Sequence, residues 1–378
     1  MTSEILIMNN ENIIMGADSA VTIGNRKTHT GANKLFGLSD EPPMAMMIFG
    51  AATFGSISLE SLIKDYKKQT DFEELDDILK IKKSFIEYLK NIPYKISDFE
   101  YKFTLFKENL LKKLNYDSME NIIKYLDNYK DEEILPFLEN NSFLDVEFED
   151  IANILGNVDI DILKKYLTVM LVDSSSGVVI AGFNMNEFRP SYIYFDLITK
   201  YKNEIIISDS ESYINSEENL IVPFAQDDVT DTFISGINNE FIDFLKYCIY
   251  NYNDEYSNEI IEFLIEKGCA DIKSIEKQLG DIKKINKKNT EEFMEKIKNY
   301  KEINGDYVSE GVKDVSTDVL VTIAENLIES TSLKRKLDSN LDSVGGDIDI
   351  ITITQDGLVY GSKIDYNMKK CCQNKEKC

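Results

Sequence analysis

The residues with the greatest capacity for chemistry lie near the start of the chain, and they are Thr2, Asp18 and Lys34. A chain that begins Met-Thr is expected to lose Met1, because the second side chain is small, and Thr2 would then carry a free α-amine. Such an amine titrates near pH 7.7 to about 8.0, so it can accept the proton of a nearby hydroxyl. One residue would then supply both nucleophile and base. This suits a chain whose only histidine is His29, since nearly all Ser-His-Asp and Cys-His schemes need imidazole.

Short strands are predicted to position these residues. Residues 3–8 and 12–17 are apolar runs separated by a polar turn, which indicates a β-hairpin, and 45–49 is a further predicted strand. A lysine beside the Thr2 hydroxyl would lower the pKa of that hydroxyl, and Asp18 would keep the Lys34 ammonium charged and oriented. Taken separately, Asp18 is also typical of a residue that bonds turn amides, and Lys34 of a surface lysine.

The rest of the chain alternates helical and strand-like blocks. Apolar residues recur at three- and four-residue intervals from 59 to about 165, which predicts helices. A meander of four strands is predicted at 166–173, 178–183, 192–198 and 204–208, helices at 231–251, 255–267, 290–301 and 316–337, and a final hairpin at 347–354 and 358–363 with an Asp-Gly turn. The two terminal hairpins are expected to pair in one sheet. The predicted class is α+β, with room for two stacked sheets covered by helices.

The start of the chain resembles the proteasome β-subunit and its bacterial two-component counterpart. The resemblance rests on a hairpin after Thr2, the segment Gly16-Ala17-Asp18-Ser19-Ala20, and Asn33-Lys34-Leu35-Phe36. Asp18 and Lys34 follow Thr2 at the separations that this family uses for its catalytic Asp and Lys. The resemblance implies one N-terminal-nucleophile (Ntn) hydrolase domain over residues 1–378, a four-layer αββα sandwich. It also implies two helical insertions, at about 60–165 and 250–312.

Two further segments resemble parts of the family's site. The run MMIFGAATFG at 46–55 matches a strand that leads to a small-residue turn, and the backbone N–H of Gly50 would face the developing oxyanion. Residues 344–350 resemble the late turn that precedes the last strands. The positions of the supporting Ser and Asp hold Val344 and Leu341, so the neighbouring Ser343 and Asp342 are the candidates.

The resemblance implies a threonine-type hydrolase that cleaves amide or peptide bonds. It also implies a homo-oligomer, an ATP-dependent unfoldase as a partner, and no cofactor or metal. Two alternatives stay open, a catalytically inactive scaffold or binding protein and an amidase for small molecules, because one fold hosts several activities. A peptidase would also need a groove beside Thr2 that accepts an extended chain.

Composition limits the remaining classes. A net charge of −25 opposes binding to nucleic acid or to an anionic membrane surface. There is no signal-like start and no apolar run long enough for a membrane span, so the expected location is cytoplasmic. The five cysteines form no disulfide-like pattern, although three lie in the last eight residues and permit a metal interpretation. A further catalytic alternative is His29, which lies in a polar loop, and further metal alternatives are the acidic pairs Asp227-Asp228 and Asp347/Asp349. The ordinary interpretation of these residues is a solvated loop for His29, and a helix cap or a solvated strand face for the acidic pairs.

Overall fold

The computed structural model describes residues 3–23, 26–55, 57–92, 174–185, 187–201, 204–208, 214–215, 219–268, 272–338 and 345–362, with isolated positions between 102 and 171. These residues form helices and antiparallel sheets, so the α+β prediction is confirmed. Thr2, Asp342 and Ser343 lie outside the described residues, as does most of the predicted insertion at 60–165.

The first sheet joins the two ends of the chain. Its strands are β1 (Ser3–Met8), β2 (Asn12–Asp18), β13 (Leu220–Ala225), β14 (Ile348–Thr354) and β15 (Gly357–Ser362). Their order in the sheet is β13-β1-β2-β14-β15, and β2 pairs with β14, with Ile348 opposite Asp18. The predicted pairing of the two terminal hairpins is therefore confirmed.

The second sheet contains the middle strands β5 (Leu35–Asp40), β6 (Pro43–Gly50), β9 (Ser176–Phe183), β10 (Pro190–Tyr201), β11 (Glu204–Ser208) and β12 (Ile214–Asn215). Their order is β11-β10-β9-β6-β5, with β12 paired to β10. The predicted strand at 45–49 lies within β6, and three of the four predicted meander strands are present as β9, β10 and β11. Four short strands complete the set, β3 (Ala20–Ile23), β4 (Arg26–Thr30), β7 (Thr53–Phe54) and β8 (Ile57–Ser58).

The two sheets pack face to face, and helices cover their outer faces. Alternate side chains of β1 and β2, such as Leu6 and Met15, meet Met47 and Val179 of the second sheet in one buried cluster. Helices α1 (Leu59–Gln69) and α2 (Ile78–Asn91) pack on the outer face of the second sheet. A later helix, Thr317–Asp338, packs on the outer face of the first. The site residues lie where strands of both sheets end.

Three helices that follow β13 differ in length or in bounds from the predicted helices. Helix α3 (Asp228–Ser235) ends at Gly236, whose φ of 75° places it in the left-handed region. Helix α4 (Asn239–Glu266) spans both the gap and most of the residues predicted as two helices, and α5 (Ile272–Val312) extends the predicted 290–301 in both directions. The helix at Thr317–Asp338 is α6. None of the helices in the described ranges is long and apolar enough to cross a membrane.

Two local predictions are wrong. The segment 166–173 was expected to be a strand, but Leu167, Met170 and Leu171 are helical, and the Ser174 N–H donates to the Met170 carbonyl. A short apolar run that is buried on all sides has no periodicity to distinguish strand from helix. The polar loop expected around His29 is strand β4, which pairs with β3.

Candidate functional site

The Asp18 carboxylate is the centre of the candidate site. It lies at the end of β2, where its side chain is 1% exposed. Its Oδ1 accepts hydrogen bonds from the Ser3 N–H at 3.1 Å and from the Lys34 ammonium at 2.6 Å, and its Oδ2 accepts one from the Gly345 N–H at 2.8 Å. One buried carboxylate thus joins the start of β1, the residue before β5 and the turn before β14.

Lys34 is held between two buried carboxylates. Its Nζ lies 2.6 Å from Asp18 Oδ1 and 3.0 Å from Glu4 Oε1, and all three side chains are at most 2% exposed. The Ile48 N–H donates to the Lys34 carbonyl, which fixes the lysine backbone beside β6. Asp18 and Lys34 were predicted together, and the structure brings them together.

Glu4 was missed by the sequence analysis. It lies on β1 opposite Ala17, the neighbour of Asp18. Its position in the run SEILIM carried a signal, because a charged residue inside a short apolar strand needs a partner when the strand is buried. That signal says only that a partner exists, and does not identify it as Lys34.

The other predicted residues of the site are only partly within the described region. Thr2, Asp342 and Ser343 are outside it, but Ser3, directly after Thr2, and Gly345, two residues after Ser343, are described. The N–H of Ser3, directly after Thr2, and the N–H of Gly345, in the turn after Ser343, both donate to Asp18. The backbones of Ser3 and Gly345 therefore meet at the same carboxylate.

Gly50 ends β6 in a conformation that favours glycine, with a φ of 77°. A Cβ at this position would lie 3.1 Å from the Ser175 carbonyl oxygen. The Ile48 N–H points to Lys34, and the Ala51 N–H points the opposite way, to Ser175. Because successive N–H groups of a strand alternate in direction, the Gly50 N–H faces the same side as Lys34.

Ser176 supports the turn after Gly50 and was not identified from the sequence. It lies opposite Gly50 in the pairing of β6 with β9 and is fully buried. Its hydroxyl donates to the Thr53 carbonyl at 2.7 Å and accepts from the Thr53 N–H at 3.2 Å. This pair of bonds closes the Gly50–Thr53 turn onto β9, so the glycine conformation is fixed from both sides.

A cavity of about 570 Å³ lies beside Asp18. Helix α6 forms one wall with Ser332 and Lys336, and the segment Gly345–Asp349 forms another. Asp349 also borders a second cavity of about 270 Å³, next to Asn33. Burial raises the pKa of the Asp349 carboxyl, and the Asp347 charge raises it further, while the Lys34 charge opposes both.

The alternative acidic pairs have other contacts. Asp228 forms ion pairs with Lys334 and Arg335 of α6, and Asp227 occupies the N-cap position of α3, although its side chain makes no capping bond. Among the residues that the structure describes, no three His, Cys, Asp or Glu side chains come together as a metal site would require.

Comparison of the sequence with protein-family models finds no match, and a search of curated proteins finds none either.

Proposed function

We propose that the chain is an Ntn hydrolase on an αββα sandwich, in which Thr2 cleaves amide or peptide bonds after removal of Met1. The observation that supports this best is the buried ion pair between Lys34 and Asp18, at 2.6 Å, on the same carboxylate oxygen that accepts the N–H of Ser3. Lysine and aspartate are thus collected next to the residue that follows the proposed nucleophile.

Covalent geometry adds to this support. The peptide bond joins the Thr2 carbonyl carbon to the Ser3 nitrogen at about 1.3 Å. The Ser3 N–H and the Lys34 ammonium share Asp18 Oδ1, so the residue bonded directly to Thr2 is held at the same carboxylate oxygen as the lysine. A nucleophile needs such a charged neighbour and a base, and the free α-amine of Thr2 would be the base.

The proposed reaction has two halves. The Thr2 hydroxyl oxygen attacks the substrate carbonyl while its proton passes to the α-amine, and collapse of the tetrahedral intermediate expels the leaving amine, which takes that proton. An ester then links Thr2 to the acyl group. Water attacks this ester, gives one proton to the α-amine, and the threonine hydroxyl is restored as the acid product leaves.

Lys34 has an electrostatic role in this scheme. Its Nζ contacts both Asp18 and Glu4, and these two contacts hold the ammonium in one position beside the start of β1. A fixed positive charge beside a hydroxyl favours the developing alkoxide. The Gly50 N–H, which faces the Lys34 side of β6, would donate to the oxyanion of the intermediate.

The first test is intact-mass spectrometry before and after exposure to a peptide epoxyketone, a probe that bonds to both the hydroxyl and the amine of an N-terminal threonine. We expect loss of Met1 and one adduct per chain. Thr2→Ala should abolish the adduct. Ser3→Ala is the matched control, because it removes the adjacent hydroxyl but keeps the N–H that donates to Asp18.

The possible results separate the functions clearly. An adduct that survives Thr2→Ala, or a free Thr2 that never reacts in a folded protein, would overturn the hydrolase proposal and leave the inactive scaffold. Lys34→Met should slow adduct formation by at least about 100-fold, an effect of the size produced by loss of one preorganised group.

A further inference from the structure

Helices α4 and α5 form an antiparallel hairpin that leaves many large apolar side chains exposed. On α4, Tyr252 and Tyr256 stack with their ring centroids 6.1 Å apart, and both are more than half exposed. Phe263 and Ile260 extend this exposed surface toward the hairpin tip. On α5, large apolar residues are exposed at a spacing of seven, Phe293, Tyr300 and Tyr307. A seven-residue repeat is typical of a helix that packs along another helix.

The contact between α4 and α5 is polar at its centre. At its centre the two helices are joined by a polar layer, in which the Asn286 amide donates to the Ser257 hydroxyl at 2.8 Å and to the Asn253 carbonyl at 3.1 Å. The Asn253 amide in turn contacts the Thr290 hydroxyl. Both Asn residues are partly buried, and a polar layer of this kind fixes the register of a helix pair. The large apolar side chains named above stay about two-fifths to three-quarters exposed beside this layer.

The charges near the hairpin tip are mostly separated by helix, although Lys267 lies at the end of α4 and Asp281 lies on α5. The second half of α4 carries a row of exposed glutamates, Glu255, Glu259, Glu262 and Glu266. The facing part of α5 carries a row of exposed lysines, Lys283, Lys284, Lys287 and Lys288. Among the described residues, no ion pair joins a member of the first row to a member of the second, although Lys283 and Asp254 lie 3.8 Å apart.

We propose that a second copy of this chain binds the hairpin tip, with the acidic row of each α4 against the basic row of the partner's α5. A two-fold axis through the tip brings each row to its opposite, since Ser257 of α4 lies level with Asn286 of α5. The Tyr252–Phe263 surface would form the apolar centre of this contact and the charged rows its rim.

The charge pattern favours a second copy over another partner. The whole chain carries a net charge of −25, so two copies repel each other at long range and a contact between them needs local pairs of opposite charge. The glutamate row of α4 and the lysine row of α5 supply such pairs. The three half-exposed aromatic rings of this surface offer roughly 300 Å² at about 100 Å² each, so the charged rows must supply the rest of the roughly 800 Å² per partner that an interface needs.

Sedimentation equilibrium of the full chain tests this with two charge-reversed variants. Glu259→Lys/Glu262→Lys and Lys284→Glu/Lys287→Glu should each weaken self-association at least about tenfold, because like charges then face each other. Mixing the two variants should restore a dimer that contains one of each. Lys67→Glu/Lys68→Glu on α1 is the control for charge and should leave association unchanged.

A second pair of variants tests the apolar centre. Tyr256→Ser should weaken association, and Phe188→Ser, which changes an 83% exposed ring elsewhere, should not. A chain that stays monomeric at about 100 µM, or an oligomer that none of the hairpin variants weakens, would overturn the proposal. The latter result would mean that another surface holds the copies together. None of these results depends on whether Thr2 is catalytic.

Discussion

Removal of the Lys34 charge is the most informative perturbation of the candidate site. Lys34→Met keeps the length and apolar stem of the side chain but leaves the Asp18 and Glu4 carboxylates buried without the ammonium that both contact. Breaking a buried ion pair in this way costs about 3–5 kcal/mol of folding free energy. Because two carboxylates lose one cation, we expect the upper half of that range at pH 7.

Lys200→Met is the matched control. Lys200 is also buried, but its ammonium donates only to the backbone carbonyls of Leu89 and Lys90 in the contacts described, and burial lowers its pKa. Its replacement leaves two carbonyls without a donor and relieves the desolvation of a charge, so the net cost should be near 1 kcal/mol. Both variants remove one lysine, and only Lys34→Met removes the partner of carboxylates.

The assay is urea unfolding followed by far-UV circular dichroism, since the chain has no tryptophan to serve as a fluorescent probe. Glu4→Gln in the Lys34→Met background should recover about 1–3 kcal/mol, because it removes one of the two buried charges that lose the Lys34 ammonium. The same substitution in the Lys200→Met background should recover nothing, because Lys200 contacts no carboxylate in the contacts described.

Equal losses for Lys34→Met and Lys200→Met, with no recovery by Glu4→Gln, would refute the reasoning. The three charges would then not be coupled as their distances imply. If Lys34→Met no longer unfolds cooperatively, this supports the coupling of the three charges only when Glu4→Gln restores cooperative unfolding.

Two further predictions concern the edges of the site. Gly50→Ala should cost about 1–3 kcal/mol of folding free energy and slow probe adduct formation, because the residue has a positive φ and its Cβ would press on the Ser175 carbonyl. Gly268→Ala, at a φ of 65° with nothing within 4 Å, should cost only the conformational part, about 1 kcal/mol. An equal cost at both positions would exclude the close contact at Gly50. Asp349→Asn should raise the melting temperature at pH 7 but not at pH 3. Burial raises the folded-state pKa of this carboxyl, so its ionisation opposes folding only at a pH above its unfolded-state pKa. A lower melting temperature of the variant at pH 7 would contradict this reasoning.

The sheet that carries the site was largely predictable because its signals are local. β1, β2, β14 and β15 are short apolar runs separated by clear turns, and the Asp356-Gly357 turn determines the last hairpin. β13 was missed because Pro223 lies within LIVPFA and argues against a strand. The structure shows why it is tolerated: β13 is the outermost strand of its sheet, where a missing N–H need not leave a carbonyl unpaired.

The candidate site was predictable only where residue type and spacing coincide. Asp18 and Lys34 could be identified because the resemblance supplied their spacing, and their contact supports that prediction. Glu4 and the Gly345 N–H could not, because their roles depend on how β1 and the turn before β14 meet at Asp18, which is a property of strand pairing across almost the whole chain. Whether Thr2 is the nucleophile stays a prediction.

The energetic cost of the cluster is an argument for a role beyond stability. Two carboxylates and a lysine buried together gain little net folding energy, because desolvation offsets their attraction, and apolar residues of similar volume are often neutral or stabilising in their place. Glu4 lies on the strand face that carries Leu6 and Met8 into the core between the sheets, where a leucine would be the ordinary residue. A scaffold would need no fixed ammonium at this point. A hydroxyl nucleophile two residues before Glu4 would need one, and this is the argument that the cluster offers for the proposed chemistry at Thr2.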